Sequence, residues 1–467
     1  MTKFIPADQR NSFYDGIFAN IFATLTGGAF LTGFALHMGM NELMIGILAA
    51  MPFLATVFQL PTSYIIQNYG KRKNICIIAA AAARFLWVPI LIIGLYPNLA
   101  NFPVSTIVFS LIFLSYVFIS ISFVSWQSWM SDLIPDKILG TFFGTRNMIC
   151  GAAGMIAMIL YGRSLDLFKF HFNNGMSLGL SVTFLSAVLF GMISIRYLNK
   201  VSDPPSILPS RYRSFRKSLV FAIHDTNFRK FLLFSFAWSF SVHFASPFLT
   251  LYSLRELNFS YSFVTVLGTF SALADLVGMR IWGRLSDKIK NKAVIQFAGW
   301  FAVFIPFWWI FVRPGSLLTP IILYITAGCF WAGINLCTNN LLLRIPSQEF
   351  KNTFFSIYYI TAGIGSAVGP ILAGLLIKSL VNLHINFNNW TIYPIYIIFF
   401  LSTLMRLISL QLLKYIHEPE EVSVGQLVRI LRNIRGLDLA NGFHSLLHPF
   451  IEIVRRENQK QSDPKTG

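Results

Sequence analysis

Long apolar stretches alternate with short polar segments along the whole chain. Each stretch stays nearly free of charge over about 20 residues, the length of helix that crosses a hydrocarbon core roughly 30 Å thick. We therefore predict twelve membrane-spanning helices. Their approximate bounds are 14–37, 43–67, 75–97, 103–130, 144–162, 176–196, 231–254, 259–280, 293–312, 317–343, 353–377 and 388–413.

The composition agrees with a chain whose main solvent is lipid. Of 467 residues, 55% are hydrophobic and only 12% are charged, which lies outside the range of soluble globular proteins. The first apolar stretch has no small-residue cleavage site after it, so we predict that it is retained as a helix. The four cysteines form no CxxC pair and have no spacing typical of zinc sites. The sequence therefore predicts no disulfide framework, no metal and no cofactor.

The distribution of lysine and arginine predicts the orientation, because short loops rich in these residues stay on the cytoplasmic side. They are concentrated in the amino-terminal segment, the even-numbered loops and the long sixth loop. Outside the sixth loop, the main basic residues are Lys3, Arg10, Lys71, Arg72, Lys73, Lys137, Arg146, Arg284, Lys288, Lys290, Lys292, Arg344 and Lys351. We predict a multi-pass protein of the inner (plasma) membrane with both termini cytoplasmic. The net charge of +18 then requires no nucleic-acid partner.

Two loops of the first half reappear in the second. The segment LIPDKILGTFFGTRN, from Leu133, resembles RIPSQEFKNTFFSIYY, from Arg344, at a displacement of 211 to 212 residues. SYIIQNYGKRKNICI, from Ser63, aligns with GRLSDKIKNKAVI, from Gly283, at a displacement of 220. Similar displacements at separate places indicate a duplicated six-helix unit. We predict six-helix halves at 1–197 and 231–414, a cytoplasmic linker at 198–230, and a cytoplasmic tail at 415–467 with an amphipathic helix.

The stretch GRLSDKIKNK resembles the loop signature of the major facilitator superfamily, Gly-x-Leu-Ala/Ser-Asp-Arg/Lys-x-Gly-Arg/Asn-Arg/Lys. Three positions depart from the pattern: Lys290 replaces the second glycine, and in the first half Ser63 and Gln67 stand where the first glycine and the aspartate would be. The segments SWMSDLIPDKILGTFFGTRN and PILAGLL are similar to a large bacterial group of this superfamily whose substrates are unassigned. The resemblance covers nearly the whole chain. It implies an all-α integral membrane fold with the substrate between two six-helix halves.

The resemblance also implies a gate at the cytoplasmic face. In the family the loop aspartate contacts the positive end of a helix from the opposite half, which would place Asp287 near Arg146 at the start of the fifth helix. Because Gln67 lacks the charge, the first-half latch is expected to be the weaker one. The alternative is that these charges only set the topology. The predicted gating residues are Gly70, Lys71, Arg72, Arg146, Gly283, Asp287, Lys288 and Lys292.

Ionisable residues inside a span are costly and are therefore candidates for function. Arg84 and Asp275 are the clearest, and Asp275 is the carboxylate that we predict to carry a coupling proton. A structural ion pair of Asp275 with Arg280 or Arg84 is the alternative, and Arg84 is also a candidate for binding an anionic substrate. Arg406 is predicted to reach the headgroups from the end of the last span.

By resemblance to the family, helices 1, 4, 7 and 10 line the transport path. The polar residues that we select on them are His243, Asn335 and Gln127, each with simple packing as its alternative. Trp126 and Trp129 are predicted to belong to the aromatic belt at the membrane interface.

Taken together, these patterns predict a secondary active transporter that moves a small solute by alternating access, with the proton as candidate coupling ion. A lipid or lysolipid flippase of the same fold is the main alternative. An integral membrane enzyme is disfavoured because the chain has no HExxH motif, no paired intramembrane aspartates and no nucleophile motif. The predicted partners are the substrate and membrane lipids, and we predict a monomer.

Overall fold

The computed structural model describes residues 7–95, 102–203, 224–345, 351–380, 385–387 and 390–418, with some side chains in these ranges left undescribed. Within these residues, twelve helical segments are long and apolar enough to cross a membrane, which confirms the predicted number. We call them spans 1 to 12. In chain order their helices are Ala7–Leu25 and Gly28–His37 (span 1), Glu42–Ala55 and Gln59–Tyr69 (span 2), Arg72–Phe85 and Trp87–Gly94 (span 3), Phe102–Leu133 (span 4), Asp136–His171 (span 5), Gly175–Asn199 (span 6), Thr226–Arg255 (span 7), Tyr261–Ile289 (span 8), Asn291–Trp309 (span 9), Leu318–Arg344 (span 10), Lys351–Leu380 (span 11) and Ile395–Leu412 (span 12).

The predicted bounds differ most at spans 1, 5, 8 and 12. Span 1 begins at Ala7 rather than 14, and span 8 ends at Ile289 rather than 280. Span 5 extends at both ends beyond the predicted 144–162, because the helix continues past its apolar part into polar sequence. Span 12 begins at Ile395 rather than 388, because strands Ile385–Phe387 and Trp390–Ile392 pair antiparallel just before it. Most of the predicted linker and tail lies outside the described residues.

Polar residues fix where several spans begin. The side chains of Asn41, Asp225 and Ser260 each accept a hydrogen bond from a backbone N–H three residues later, at 3.0, 2.8 and 3.1 Å. These caps satisfy N–H groups that have no partner within the helix. The starts of spans 2, 7 and 8 are therefore encoded locally in the loop sequence.

The apolar side chains divide between a packed interior and a lipid-facing surface. In the first half the rings of Trp87 and Phe184 pack 4.9 Å apart between spans 3 and 6. In the second half Tyr252 of span 7 donates a hydrogen bond to the carbonyl of Val312 at 3.0 Å. Many other large apolar residues are exposed, which suits spans whose outer surface contacts lipid rather than water.

We use "terminal face" for the end of the bundle where span 1 begins and span 12 ends, and "far face" for the other end. The two halves meet at the far face through an ion pair. Arg255 Nη1, at the end of span 7, donates to Glu42 Oε1, at the start of span 2, over 2.6 Å. Here the helices also approach closely: a Cβ at Gly374 of span 11 would lie 2.7 Å from the carbonyl oxygen of Glu42.

A second far-face contact joins spans 5 and 8. The carboxylate of Asp166 accepts from the backbone N–H groups of Tyr261 and Ser262 at 2.9 and 2.7 Å. A carboxylate at a helix amino terminus is favoured by the helix dipole and by the unpaired N–H groups there. We refer to this cap and the Glu42–Arg255 pair as the far-face contacts. They hold the halves together at this end.

Candidate functional site

A polar cavity of about 430 Å³ lies within the first half, between spans 1, 3, 4, 5 and 6. We call it the first-half cavity. Its charged lining residues are Asp15, Arg84 and Arg146, and its other polar lining includes Asn20, Ser122, Trp126 and Asn147. Two guanidinium groups thus share the cavity with one carboxylate. The described lining carries one excess positive charge.

Asp15 holds the centre of a buried network. Its carboxylate accepts from Ser194 Oγ at 2.7 Å and from Arg146 Nη2 at 3.3 Å. Arg84 Nη2 in turn donates to Ser194 Oγ at 3.3 Å, so the serine links the second guanidinium to the same acid. Asp15 is only 4% exposed and Arg84 only 6%. The network therefore ties spans 1, 3, 5 and 6 together out of contact with bulk solvent.

Each guanidinium also lies over an aromatic ring. The Arg146 guanidinium carbon is 4.1 Å from the ring centroid of Trp126, and that of Arg84 is 5.2 Å from that of Phe22. Such cation–π contacts fix the planes of the two groups. Arg84 Nε and Trp126 Nε1 are buried without a hydrogen-bond partner among the described residues. The cavity lining therefore includes two donors with spare hydrogen-bonding capacity.

A second cavity, of about 310 Å³, lies between the halves. Its lining comes from spans 1, 2, 4, 7 and 11 and includes the predicted site residue His243. His243 Nδ1 lies 2.9 Å from the carbonyl oxygen of Ser239, and its ring packs 4.6 Å from that of Phe53 across the two halves. If Nδ1 donates to that carbonyl, Nε2 is an acceptor. We call this space the inter-half cavity.

The other predicted site residues are scattered. Asp275 is half-buried in span 8 and makes no hydrogen bond or ion pair with the described residues, so neither Arg280 nor Arg84 pairs with it. Asn335 and Gln127 are exposed and line neither of the two cavities. The roles proposed for these residues remain predictions.

Three sequence interpretations are corrected by the structure. Trp126 lines the first-half cavity, and Trp129 is fully buried and donates from Nε1 to the carbonyl of Ser202 at 2.8 Å, so these two do not form an interfacial belt. Arg406 does not reach the headgroups, because it is 3% exposed and donates to the carbonyl of Ala302 at 2.8 Å.

Asp15 was missed because it stands at the polar edge of the first apolar stretch, where a charge carries no cost in the sequence pattern.

The predicted gating residues lie near the terminal face, except that Arg146 belongs to the first-half cavity. Gly283 is inside the helix of span 8, and the side chains of Asp287 and Lys288 lie outside the described residues. The predicted contact of Asp287 with the start of span 5 thus stays a prediction. Gly70 ends span 2 in the left-handed conformation, with φ +65°.

Two lysines near the terminal face, Lys73 and Lys292, donate hydrogen bonds to backbone carbonyls just after the last span of each half. Lys73 Nζ donates to the carbonyl of Val201, just after span 6, at 2.7 Å. Lys292 Nζ donates to the carbonyl of Ile416, just after span 12, also at 2.7 Å. A similar contact therefore occurs in both halves, although at the displacement of 220 residues Lys292 aligns with Arg72 and not with Lys73. Arg72 adds ion pairs with Asp132 and Asp203.

In the second half Glu418 adds hydrogen bonds to the contact made by Lys292. Its carboxylate accepts from the backbone N–H of Lys292 at 2.8 Å and from Asn291 Nδ2 at 2.9 Å. Glu418 is 2% exposed and so is firmly seated on the start of span 9. The first residues of the tail therefore move with the second half.

Lys290 occupies a backbone conformation that suits glycine. It has φ +73° and ψ 159°, and it aligns with Gly70 of the first half at the displacement of 220 residues. Side chains at such angles cost on the order of 1–3 kcal/mol. We expect Lys290→Gly to stabilise the purified protein by about 1 kcal/mol, since the strain is relieved at the cost of a more flexible unfolded chain.

Thermal unfolding in detergent measures this effect. Lys288→Gly, two residues earlier in the helix of span 8, is the matched control and should lower the melting temperature. Equal or lower stability of Lys290→Gly would show that the lysine conformation is not strained.

Comparisons with known proteins agree with this architecture. A sequence model described as the Major Facilitator Superfamily matches residues 16–370. A comparison with curated protein sequences finds no match.

Several solved structures share the fold. The nucleoside transporter NupG superposes with a TM-score of 0.67 at 12% identity, covering 88% of this chain and 98% of that one. A D-xylose–proton symporter gives 0.65 at 11% identity, covering 89% and 99%. A bacterial homologue of the iron transporter ferroportin, in an inward-facing state, gives 0.61 at 13% identity, covering 87% and 96%. With twelve spans in two six-helix halves and a family match over most of its length, the chain belongs to the major facilitator superfamily.

Proposed function

We propose that this membrane protein is a secondary active transporter that moves a small solute by alternating access between its two halves. The observation that carries the proposal is the inter-half cavity, together with the ion pair and the helix cap that join the halves at the far face. In this fold the halves rock about a central site, so contacts at one face must break when the other face closes. Polar contacts that leave and regain water suit such a cycle better than a continuous apolar interface.

The orientation supports the same proposal. The basic loops lie at the terminal face, which we therefore assign to the cytoplasm of the inner membrane. The far face then lies outside, and its closure corresponds to a state with the path open toward the cytoplasm. The nucleoside and sugar transporters of the same fold are consistent with a soluble metabolite as the substrate.

We further propose that protons drive the transport and that Asp15 carries them. Intramembrane carboxylates mark proton pathways in transporters. Asp15 shares a cavity with two arginines, whereas Asp275, the candidate chosen from the sequence, lines neither of the two cavities. A solute that takes over Arg146 or Ser194 would release Asp15 to accept a proton. This exchange of partners couples the movement of the solute to that of the proton.

Uptake into proteoliposomes, with and without an inward proton gradient, tests the proposal on a panel of metabolites. We expect a gradient to stimulate uptake of at least one solute, and Asp275→Asn to retain that stimulation. The double variant Asp15→Asn/Arg146→Gln keeps the cavity's charge balance and should lose the stimulation while still folding. Retention in the double variant and loss in Asp275→Asn would transfer the coupling role to Asp275. Uptake of no solute, with lysolipids moved instead, would favour the flippase.

A further inference from the structure

The first-half cavity has an excess positive charge and two unpartnered hydrogen-bond donors, and the transport proposal gives no role to either feature. Its described charged lining residues, Asp15, Arg84 and Arg146, carry one excess positive charge, and all three lie within spans. A buried charge without a counter-ion is costly, so such a site favours a ligand that brings the missing negative charge. A monoanion restores neutrality, whereas a dianion reverses the imbalance.

Two unpartnered donors belong to side chains that line the cavity. Arg84 Nε and Trp126 Nε1 each have an N–H without an acceptor among the described residues. Arg84 itself is more than nine-tenths buried, so bulk water is a poor substitute. A buried donor left without an acceptor costs about 1–3 kcal/mol, which an acceptor on a ligand would recover. The planar guanidinium matches the planar carboxylate in shape.

The rest of the lining indicates the body of the ligand. Apolar side chains occupy part of the wall, among them Phe22, Ile119 and Phe123. The volume of about 430 Å³ is within the range of small-molecule sites. The cavity therefore offers one polar end for an acid group and an apolar wall for a short hydrocarbon or ring.

We propose that the first-half cavity binds a small organic monoanion, with its carboxylate held by Arg84 and Trp126 and with Arg146 as the neighbouring cation. The inference rests on the proposed transport function, because it names the class of substrate.

Binding in detergent tests the site without requiring transport. The probes are acetate, lactate and benzoate, each compared with its amide, together with benzylamine, phenyl phosphate and inorganic phosphate. We expect at least one carboxylate to raise the melting temperature while its amide and benzylamine do not. Equal effects of acid and amide, no effect of any carboxylate, or a stronger effect of the phosphates would overturn the proposal.

Variants locate the site by calorimetric titration of the stabilising carboxylate. Arg84→Gln should weaken its binding about tenfold or more, as expected for loss of a charge-assisted hydrogen bond. Trp126→Phe keeps a ring beneath Arg146 but lacks the donor, so it should weaken binding about fivefold even if Arg84→Gln fails to fold. Arg163→Gln removes an exposed arginine of span 5 and should leave binding unchanged. Unaltered binding in both cavity variants would refute the assignment.

Transport assays separate this inference from the proposed function. If proteoliposomes take up a neutral or cationic solute and no carboxylate competes, the anion site is wrong and the transport proposal stands. If carboxylates bind with dependence on Arg84 but no solute crosses in either direction, the site stands and the transport proposal fails.

Discussion

Asp15→Asn is expected to lower the free energy of unfolding by about 3–5 kcal/mol, the cost of removing one partner from a buried ion pair. The carboxylate is the only described acid in the first-half cavity, and it faces Arg146 directly and Arg84 through Ser194. Without it two buried guanidinium groups remain uncompensated. Thermal unfolding of the purified variant in detergent measures the loss.

A second substitution distinguishes charge imbalance from simple loss of packing. In Asp15→Asn/Arg146→Gln the cavity returns to a single excess positive charge, so the double variant should recover more than half of the lost stability. Ser194→Ala removes only the bridging hydroxyl and should cost about 1 kcal/mol. A double variant no more stable than Asp15→Asn would mean that the ion pair is not the source of the effect.

Cross-linking the far face is expected to abolish transport. Cysteines at Glu42 and Arg255 replace side chains that touch across the halves, so a short bifunctional thiol reagent with a reducible linker joins spans 2 and 7. The cross-link holds the far face closed, and alternating access then stops after one half-cycle. We expect uptake to fall to the level of protein-free liposomes and to return when a reductant is added.

The matched control joins two spans of the same half. Ser181 Oγ lies 3.4 Å from the carbonyl oxygen of Leu91, between spans 6 and 3, which move together in a rocking mechanism. Leu91→Cys/Ser181→Cys treated with the same reagent should therefore keep its uptake. Continued uptake by the cross-linked Glu42→Cys/Arg255→Cys protein would contradict movement at the far face.

The number of spans could be predicted from the sequence because each apolar stretch carries its own signal. The duplication was equally accessible, and Lys73 and Lys292 make similar contacts in the two halves. Helix ends were less certain, because hydrophobicity marks only the part of a helix that lies in lipid. The polar ends of span 5 are helical without being apolar.

The candidate site was predicted less well, because it depends on which spans pack together. Arg84 stands out in the sequence as an unusual charge, but its partners Ser194 and Phe22 come from spans 6 and 1, which no local pattern connects to span 3. Asp15 is the second residue of the predicted span 14–37 and therefore stands at its polar edge, whereas the helix of span 1 begins at Ala7 and places Asp15 well inside it. The position of Arg406 near the end of the last span indicates, in the sequence alone, a side chain that reaches the headgroups. Its burial depends on packing against other spans, which the sequence does not show.

Distances between spin labels across both faces test alternating access most directly. In a cysteine-free background, one pair of labels replaces Phe170 and Leu318 near the far face, and another replaces Tyr64 and Tyr415 near the terminal face. All four side chains are well exposed, at 85%, 74%, 67% and 65%. In lipid nanodiscs we predict two populations for each pair, with the far-face pair shorter whenever the terminal-face pair is longer, and with proportions that shift with pH. A single unchanging distance at both faces would contradict the account.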